Sequence, residues 1–335
     1  MLLKHKLLFF IVAKSVSSNK QEGDITMSAQ TTQAIRAYQY GGPEQLRLER
    51  IERPVPRSGE VLVRVHAAGV NPIDWKICQG LLTDLFPTPF PHLPGRDLAG
   101  IVEEVGPGVT RFEIGQAVFG QSIHGTYTEY TPASIHTLAL KPKTLSFDEA
   151  VTLPLGAATA WEGLLELQAG QRVLIQGAAG GVGIFAVQFA RQKGAYVIGT
   201  TSTPNVDFVR SLGANEVIDY TSTLLEDAVH DVDLVFNTVG GNTLESSLRM
   251  VKRGGTLVSI ASQPSEEQAR RRGVHVFTFS TRITRELLQT FAHLTEKGQI
   301  KVVVGKTFPL SEAQQAHKLG EQGHGRGRIV LHIAD

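Results

Sequence analysis

The stretch with the most chemical promise is "RVLIQGAAGGVGIFAVQFARQKGAYVIGTT". Arg172 to Gln176 reads as a buried strand, residues 177–183 as a turn, and Val182 to Lys193 carries helical spacing that stops at Gly194. A dinucleotide pyrophosphate needs backbone N–H groups at a helix N-terminus and no side chains in the way. The turn offers both, because a G-x-G-x-x-G pattern runs through it with Ala178 in the first glycine position, followed by Gly180 and Gly183. Gly177, Ala179, Gly180, Gly181, Val182 and Gly183 are therefore candidate cofactor contacts. A tight turn without a ligand is the alternative; the strand before, the helix after and the second strand at the expected distance argue against it.

The end of that second strand distinguishes the two nicotinamide cofactors, since a carboxylate there binds the ribose 2′-hydroxyl and repels a 2′-phosphate. Here the sequence is "GTTSTPN". Thr200, Thr201, Ser202 and Asn205 offer hydroxyl and amide groups and no negative charge, which favours NADPH over NADH. The loop contains no lysine or arginine to clamp the phosphate.

Two kinds of pattern must position these groups. From about residue 34 to 153, short apolar runs such as "VLVRVHAAGV" and "GIVEEVG" are punctuated by glycine and proline, as in a compact, mostly β domain. From about 155 to 298, "RVLIQG", "YVIGTT", "EVIDY", "DLVFNTVG", "TLVSIAS" and "VHVFTFS" alternate with helical segments, which implies a doubly wound parallel sheet covered on both faces. The tail "GRIVLHI" reads as a strand that returns to the first domain. The expected fold is thus α/β, with residues 154–298 as the dinucleotide-binding domain and 27–153 together with 299–335 as the second.

With 335 residues and 41% apolar composition, the chain can bury a large core. A net charge of +1 gives no broad basic field for nucleic acid or anionic lipid, so the expected partners are small molecules. Cys78 is the single cysteine, which excludes an intramolecular disulfide and a multi-cysteine zinc site within one chain and fits a reducing cytosol. The eleven histidines show no metal spacing, and no G-x-S-x-G elbow occurs. In residues 1–26, Lys4 and Lys6 precede an apolar run from Leu7 to Ala13 that is too short to span a bilayer. We read this segment as a disordered leader, with export or anchoring as the alternative.

The chain resembles the medium-chain dehydrogenase/reductase superfamily, most closely its zinc-free quinone oxidoreductase branch, the zeta-crystallin-like proteins. The likeness rests on "AAGVNPIDWKICQG", "LPGRDLAGIVEEVGPGV", "GAATAWEGL", "GAAGGVGIFAVQFA", "SLGANEVIDY", "NTVGG" and "GHGRGRIVL". It implies a Rossmann sheet plus a GroES-like catalytic domain, and a homodimer. Zinc-dependent members place a cysteine in the stretch matching "GVNPID" and a His-Glu pair in the stretch matching "GRD"; here Asn71, Arg96 and Asp97 stand there, so no metal site is expected. Arg96 is then expected to pair with Asp97 or another carboxylate of the domain wall.

Without a Lewis acid, simple alcohol oxidation loses its means of stabilising an alkoxide. Quinones and α,β-unsaturated carbonyls do not need that help, because conjugation spreads the incoming charge. The resemblance therefore implies NADPH-dependent hydride transfer to a quinone. Reduction of enones or 2-enoyl thioesters, and a non-enzymatic role as an NADPH-binding regulatory protein, are the alternatives. By the family pattern, Asn71 lies near the nicotinamide ribose or amide and Thr159 near the nicotinamide half. Tyr220 lies beside the adenosine phosphate, and Gly240 and Ala261 end strands facing the cofactor. Phe277 and Phe279 close the cleft, Arg326 approaches the phosphates, and Trp75 and Lys76 are candidates for the substrate wall.

Overall fold

The computed structural model describes residues 30–323 and 325–335. The leader expected over 1–26 lies outside them. Six parallel strands build one sheet, in the order Glu216–Asp219, Tyr196–Thr201, Arg172–Gln176, Val232–Asn237, Val251–Ser259 and His275–Phe277. They are the six segments expected from the alternating pattern. Val173, Leu174 and Ile175 are fully buried because the strand is covered on both faces. The strand order reverses between Arg172–Gln176 and Val232–Asn237, which opens a crevice at their C-terminal ends.

The second sheet has seven strands and is almost wholly antiparallel. Its central strand, Glu60–Val70, pairs with Asp97–Val105 on one side, and on the other with Tyr130–Ser134 at its start and Arg328–His332 at its end. Breaks in register between Leu62 and Val63 and between Val65 and Ala67 bend it where its partners change. The tail thus adds Arg328–His332, and Val304–Pro309 beside it, to the sheet begun more than two hundred residues earlier. One apolar core runs through both sheets, from Ala67, Ala99 and Phe119 to Ile175, Phe185 and Val330. Trp161, Phe189 and Phe291 pack edge-on and stacked inside it. Among the described residues, no helix is long and apolar enough to cross a membrane.

Helix Ala313–Gln322 covers the first helix of the β-rich part, Pro72–Cys78, and its His317 is 1% exposed. His317 Nε2 lies 3.2 Å from the Tyr127 hydroxyl, and burial holds its imidazole down at about 4. The folded state therefore resists protonation while the unfolded chain accepts it below about 6.5. The corresponding stability is present above pH 6.5 and is lost as pH falls towards 4. At pH 4.5 the loss is about 2–3 kcal/mol, at 1.36 kcal/mol per unit. His317→Phe should lose that much less stability than the parent between pH 7 and 4.5, read from urea midpoints at both values. Equal losses would mean that His317 is not the buried neutral group described.

Candidate active site

The glycine turn assembles as its sequence pattern requires, with helix Gly183–Gln192 following it. Its glycines divide by role. Gly177 has φ of +75°, which a side chain opposes, and a Cβ at Gly183 would collide with the Gly177 carbonyl, so these two shape the turn. A Cβ at Gly180 would meet only the Gly177 oxygen, at 3.3 Å, so that face is open. The Val182 N–H makes no hydrogen bond among the described residues, while the Gly181 N–H faces the Gly327 carbonyl where Gly180 and Gly327 form a bridge. A free donor at a helix start, beside an open glycine face, fits the pyrophosphate of a dinucleotide. Ala179 is 4% exposed and works through its carbonyl, which accepts the Gly327 N–H at 2.9 Å.

The loop where the adenosine half is expected is built from Thr200 and Thr201, both buried, and from half-buried Ser202 and buried Asn205. Tyr220, 39% exposed, hangs beside them through its N–H on the Thr201 carbonyl. The loop has no cation of its own, yet the fold brings one. Arg326 donates to Asn205 Oδ1 at 3.0 Å and to the Pro204 carbonyl at 3.1 Å, with its guanidinium 4.4 Å from the Phe208 ring centre. A carboxylate also stands close by: Asp219 accepts from Thr203 and Thr221, and these hydrogen bonds lower its pKa.

On the opposite side of the turn lies a buried polar network that the sequence did not reveal. Asn71 is completely buried at the start of helix Pro72–Cys78. Its amide nitrogen donates to Asp97 Oδ2 at 3.1 Å, and its oxygen accepts from Arg328 Nη1 at 2.5 Å. Asp97 also accepts from Gln121 at 2.8 Å. Burial raises the Asp97 carboxyl while Arg328 pulls it back; burial lowers the Arg328 guanidinium while Asp97 supports it. Arg328 Nη2 reaches the Gly181 carbonyl at 3.5 Å, and a Cβ at Gly156 or Gly181 would come within 2.6 or 2.9 Å of its guanidinium. The same network continues through Asp74, which accepts the Asn71 N–H at 2.8 Å and the Tyr127 hydroxyl at 3.3 Å. Burial pushes the Asp74 carboxyl up to about 7.

Other residues of the expected site take the following places. Thr159 Oγ1 meets Thr281 Oγ1 at 2.9 Å, a partner without any sequence signal. Gly240, with φ of +75°, packs against Ala261 and Ser262, and buried Asn237 fixes that turn by accepting from the Val239 and Gly240 N–H groups. Phe277 and Phe279 stack on each other at 5.4 Å, Phe277 being 44% exposed.

Trp75, expected at the substrate wall, packs edge-on to His317, and a Cβ at Gly320 would come within 2.7 Å of its ring, so it seats the helix Ala313–Gln322. Its neighbour Lys76 is not among the residues that line the pocket in this part of the fold; Ile77 is. One expectation needs correction: Arg96 does not pair with Asp97. The two side chains leave opposite faces of the chain, and Asp97 turns inward to Asn71 while Arg96 lies over the Phe86 ring, 4.8 Å from its centre.

Comparison with known proteins agrees with this architecture. Residues 57–144 match the family described as alcohol dehydrogenase GroES-like domain, and residues 212–331 match the one described as zinc-binding dehydrogenase. The Mus musculus quinone oxidoreductase is 34% identical over 89% of this chain and 97% of its own. The Arabidopsis thaliana chloroplastic NADPH-dependent alkenal/one oxidoreductase is 32% identical over 97% of this chain and 86% of its own. The crystal structure of Escherichia coli quinone oxidoreductase complexed with NADPH superimposes with a TM-score of 0.83 at 30% identity, covering 90% of this chain and 99% of that one. With its Rossmann-like sheet, its GroES-like domain and these relatives, the chain belongs to the quinone oxidoreductase branch of the medium-chain dehydrogenase/reductase superfamily.

Proposed function

We propose that this oxidoreductase uses NADPH to reduce a quinone by hydride transfer without a metal. The observation that carries this reading is the state of Asn71. It stands where zinc-dependent members supply a cysteine, and both ends of its carboxamide are committed, one to Asp97 and one to Arg328. The neighbouring positions offer no free ligand either, since an arginine cannot release its proton to bind a cation, Asp97 is already held by Asn71 and Gln121, and Cys78, buried, has its thiol pushed up to about 12. Bound NADPH supplies the hydride. The chain's part is to hold the pyrophosphate at the start of helix Gly183–Gln192, where the Val182 N–H is free, to keep the open face at Gly180 clear, and to set Asn71, Thr159 and Arg328 rigidly beside it. Rigid positioning in a dry cleft is the main catalytic means left when no Lewis acid is present. An α,β-unsaturated ketone or aldehyde is the second reading, favoured by the likeness to the plant alkenal/one oxidoreductase. Steady-state NADPH oxidation with a panel of quinones and enones ranks the two, and no turnover of any member would overturn both.

Three outcomes follow. Gly180→Val should fold, because a side chain there meets little protein, and yet lose NADPH binding, because it occupies the pyrophosphate side of the turn; Gly183→Ala should instead lose stability through its clash with Gly177. Cofactor titration and thermal unfolding of both variants separate these effects, and unchanged affinity in folded Gly180→Val would misplace the cofactor.

Arg326 is the single cation reaching the Asn205 loop by hydrogen bond among the described residues. Its contact with a 2′-phosphate is expected to contribute about 1–3 kcal/mol. Arg326→Ala should thus lower the NADPH-to-NADH ratio of kcat/KM by roughly five- to a hundredfold. A ratio unmoved by the substitution would remove Arg326 from the specificity site.

Purified enzyme should carry far less than one zinc per chain by metal analysis and keep its activity in chelator. A tightly held zinc lost together with activity would contradict the metal-free reading.

A further inference from the structure

A pocket of about 760 Å³ opens in the β-rich part of the fold, between residues 51–60, the loop over 85–93 and the turn at Ile123–His124. A smaller one of about 80 Å³ lies behind it and ends at Asp74. Arg96 lines both. One hydrogen bond links the inner wall to the site described above: Asp74, in that wall, accepts the N–H of Asn71, which holds Arg328.

The charges around this pocket do not balance at Arg96. Its lining contains Arg36, Arg57 and Arg96, with His92 and His124, against Glu52 and Glu60. Glu60 is engaged by His124 at 2.8 Å and by the Arg57 backbone N–H at 3.0 Å, Arg36 is turned to Glu49 at 3.4 Å, and Glu52 and Arg57 are exposed. Arg96 is half-buried and, among the described residues, has no carboxylate within ion-pair distance and no side-chain hydrogen bond. Asp74, behind it, is a weak counter-ion near neutral pH because burial favours its protonated form. A guanidinium stacked on an aromatic face keeps its in-plane N–H donors free, and its planar fork matches a carboxylate. A partly desolvated cation without a partner is costly, and a bound anion removes that cost. Phe86, Leu93, Ile123 and the nearby prolines supply apolar surface for a carbon skeleton.

We propose that Arg96 anchors the acceptor pocket by binding an anionic group, and that the enzyme's preferred acceptor is a small conjugated carbonyl compound that carries a carboxylate. This rests on the reading of the chain as a reductase of conjugated acceptors, and it adds the charge of the substrate and the residue that selects it.

The test compares (E)-4-oxopent-2-enoate with its methyl ester, which share the same enone and differ in charge. The ratio of their kcat/KM values with NADPH should fall at least tenfold in Arg96→Met, which keeps an unbranched side chain against Phe86, and should be partly restored in Arg96→Lys. Comparing ratios cancels the difference in intrinsic reactivity between acid and ester. Calorimetric titration with the saturated 4-oxopentanoate reads the same site without turnover, and its Kd should rise at least tenfold in Arg96→Met. Circular dichroism and NADPH titration establish that each variant folds; if Arg96→Met does not, Arg96→Lys carries both measurements. A ratio unchanged within threefold, or 4-oxopentanoate bound equally or not at all by parent and variant, would overturn the anion site. Binding that depends on Arg96 with no turnover of either acceptor would leave the anion site standing and overturn the reductase reading instead.

Discussion

The structure depends on a neutral bridge between two buried charges. Asp97 and Arg328 are both removed from water, and burial works against the charged form of each. They do not approach within ion-pair distance; the Asn71 carboxamide stands between them, donating to one and accepting from the other. An amide suits this place because it is a donor at one end and an acceptor at the other, and its orientation is fixed by the partners. Breaking such a network by removing one member typically costs about 3–5 kcal/mol, because the remaining charge stays buried without compensation. The bridge ties the central strand and first helix of the GroES-like part to the tail strand Arg328–His332. Through Gly181, it also ties them to the cofactor turn. Gly156 and Gly181 have no side chain because the guanidinium fills the space.

The tail is therefore more than the last strand of a sheet. Gly327 crosses the glycine turn in a bridge with Gly180 and donates to Ala179, while Arg326 extends to the Asn205 loop and Arg328 turns into the junction. One short segment thus touches both the glycine turn and the Asn205 loop, which are built from residues far earlier in the chain. The same segment pairs with Ala67–Val70 through Ile329–His332, so the seated guanidinium and the sheet are held by one strand.

The buried acid and imidazole groups beside this network form a second layer. Asp74, Tyr127 and His317 are linked in a row from the Asn71 backbone to the covering helix, with burial shifting each away from its charged form. Hydrogen bonds join the row without the desolvation cost of further fixed ions, while Asp74 Oδ1 is buried without a partner. It holds the first helix in place, and with it the wall that carries Asp74 and Ile77 into the pocket at Arg96.

By itself the sequence determined the parallel sheet, because each strand is a short apolar run between helical segments, and it determined the glycine turn, because only a residue without a side chain satisfies that backbone and that open face. The family resemblance in turn implied that Asn71, Arg96 and Asp97 stand where zinc-dependent relatives carry their ligands. What these residues do instead was decided by the tertiary structure. Adjacent residues on a strand face opposite ways, so Asp97 enters the buried bridge while Arg96 leaves for the Phe86 ring, and sequence adjacency suggested the reverse. Trp75 stands four residues from Asn71 in the sequence, and only the first helix turns it onto Gly320 and His317. Arg326 and Arg328 were two basic residues in a glycine-rich tail; a positive φ of 68° at Gly327 sends one to Asn205 and buries the other beside Asn71. Partners 257 residues apart leave no local pattern, because burial and hydrogen bonding between them exist only once both sheets have formed.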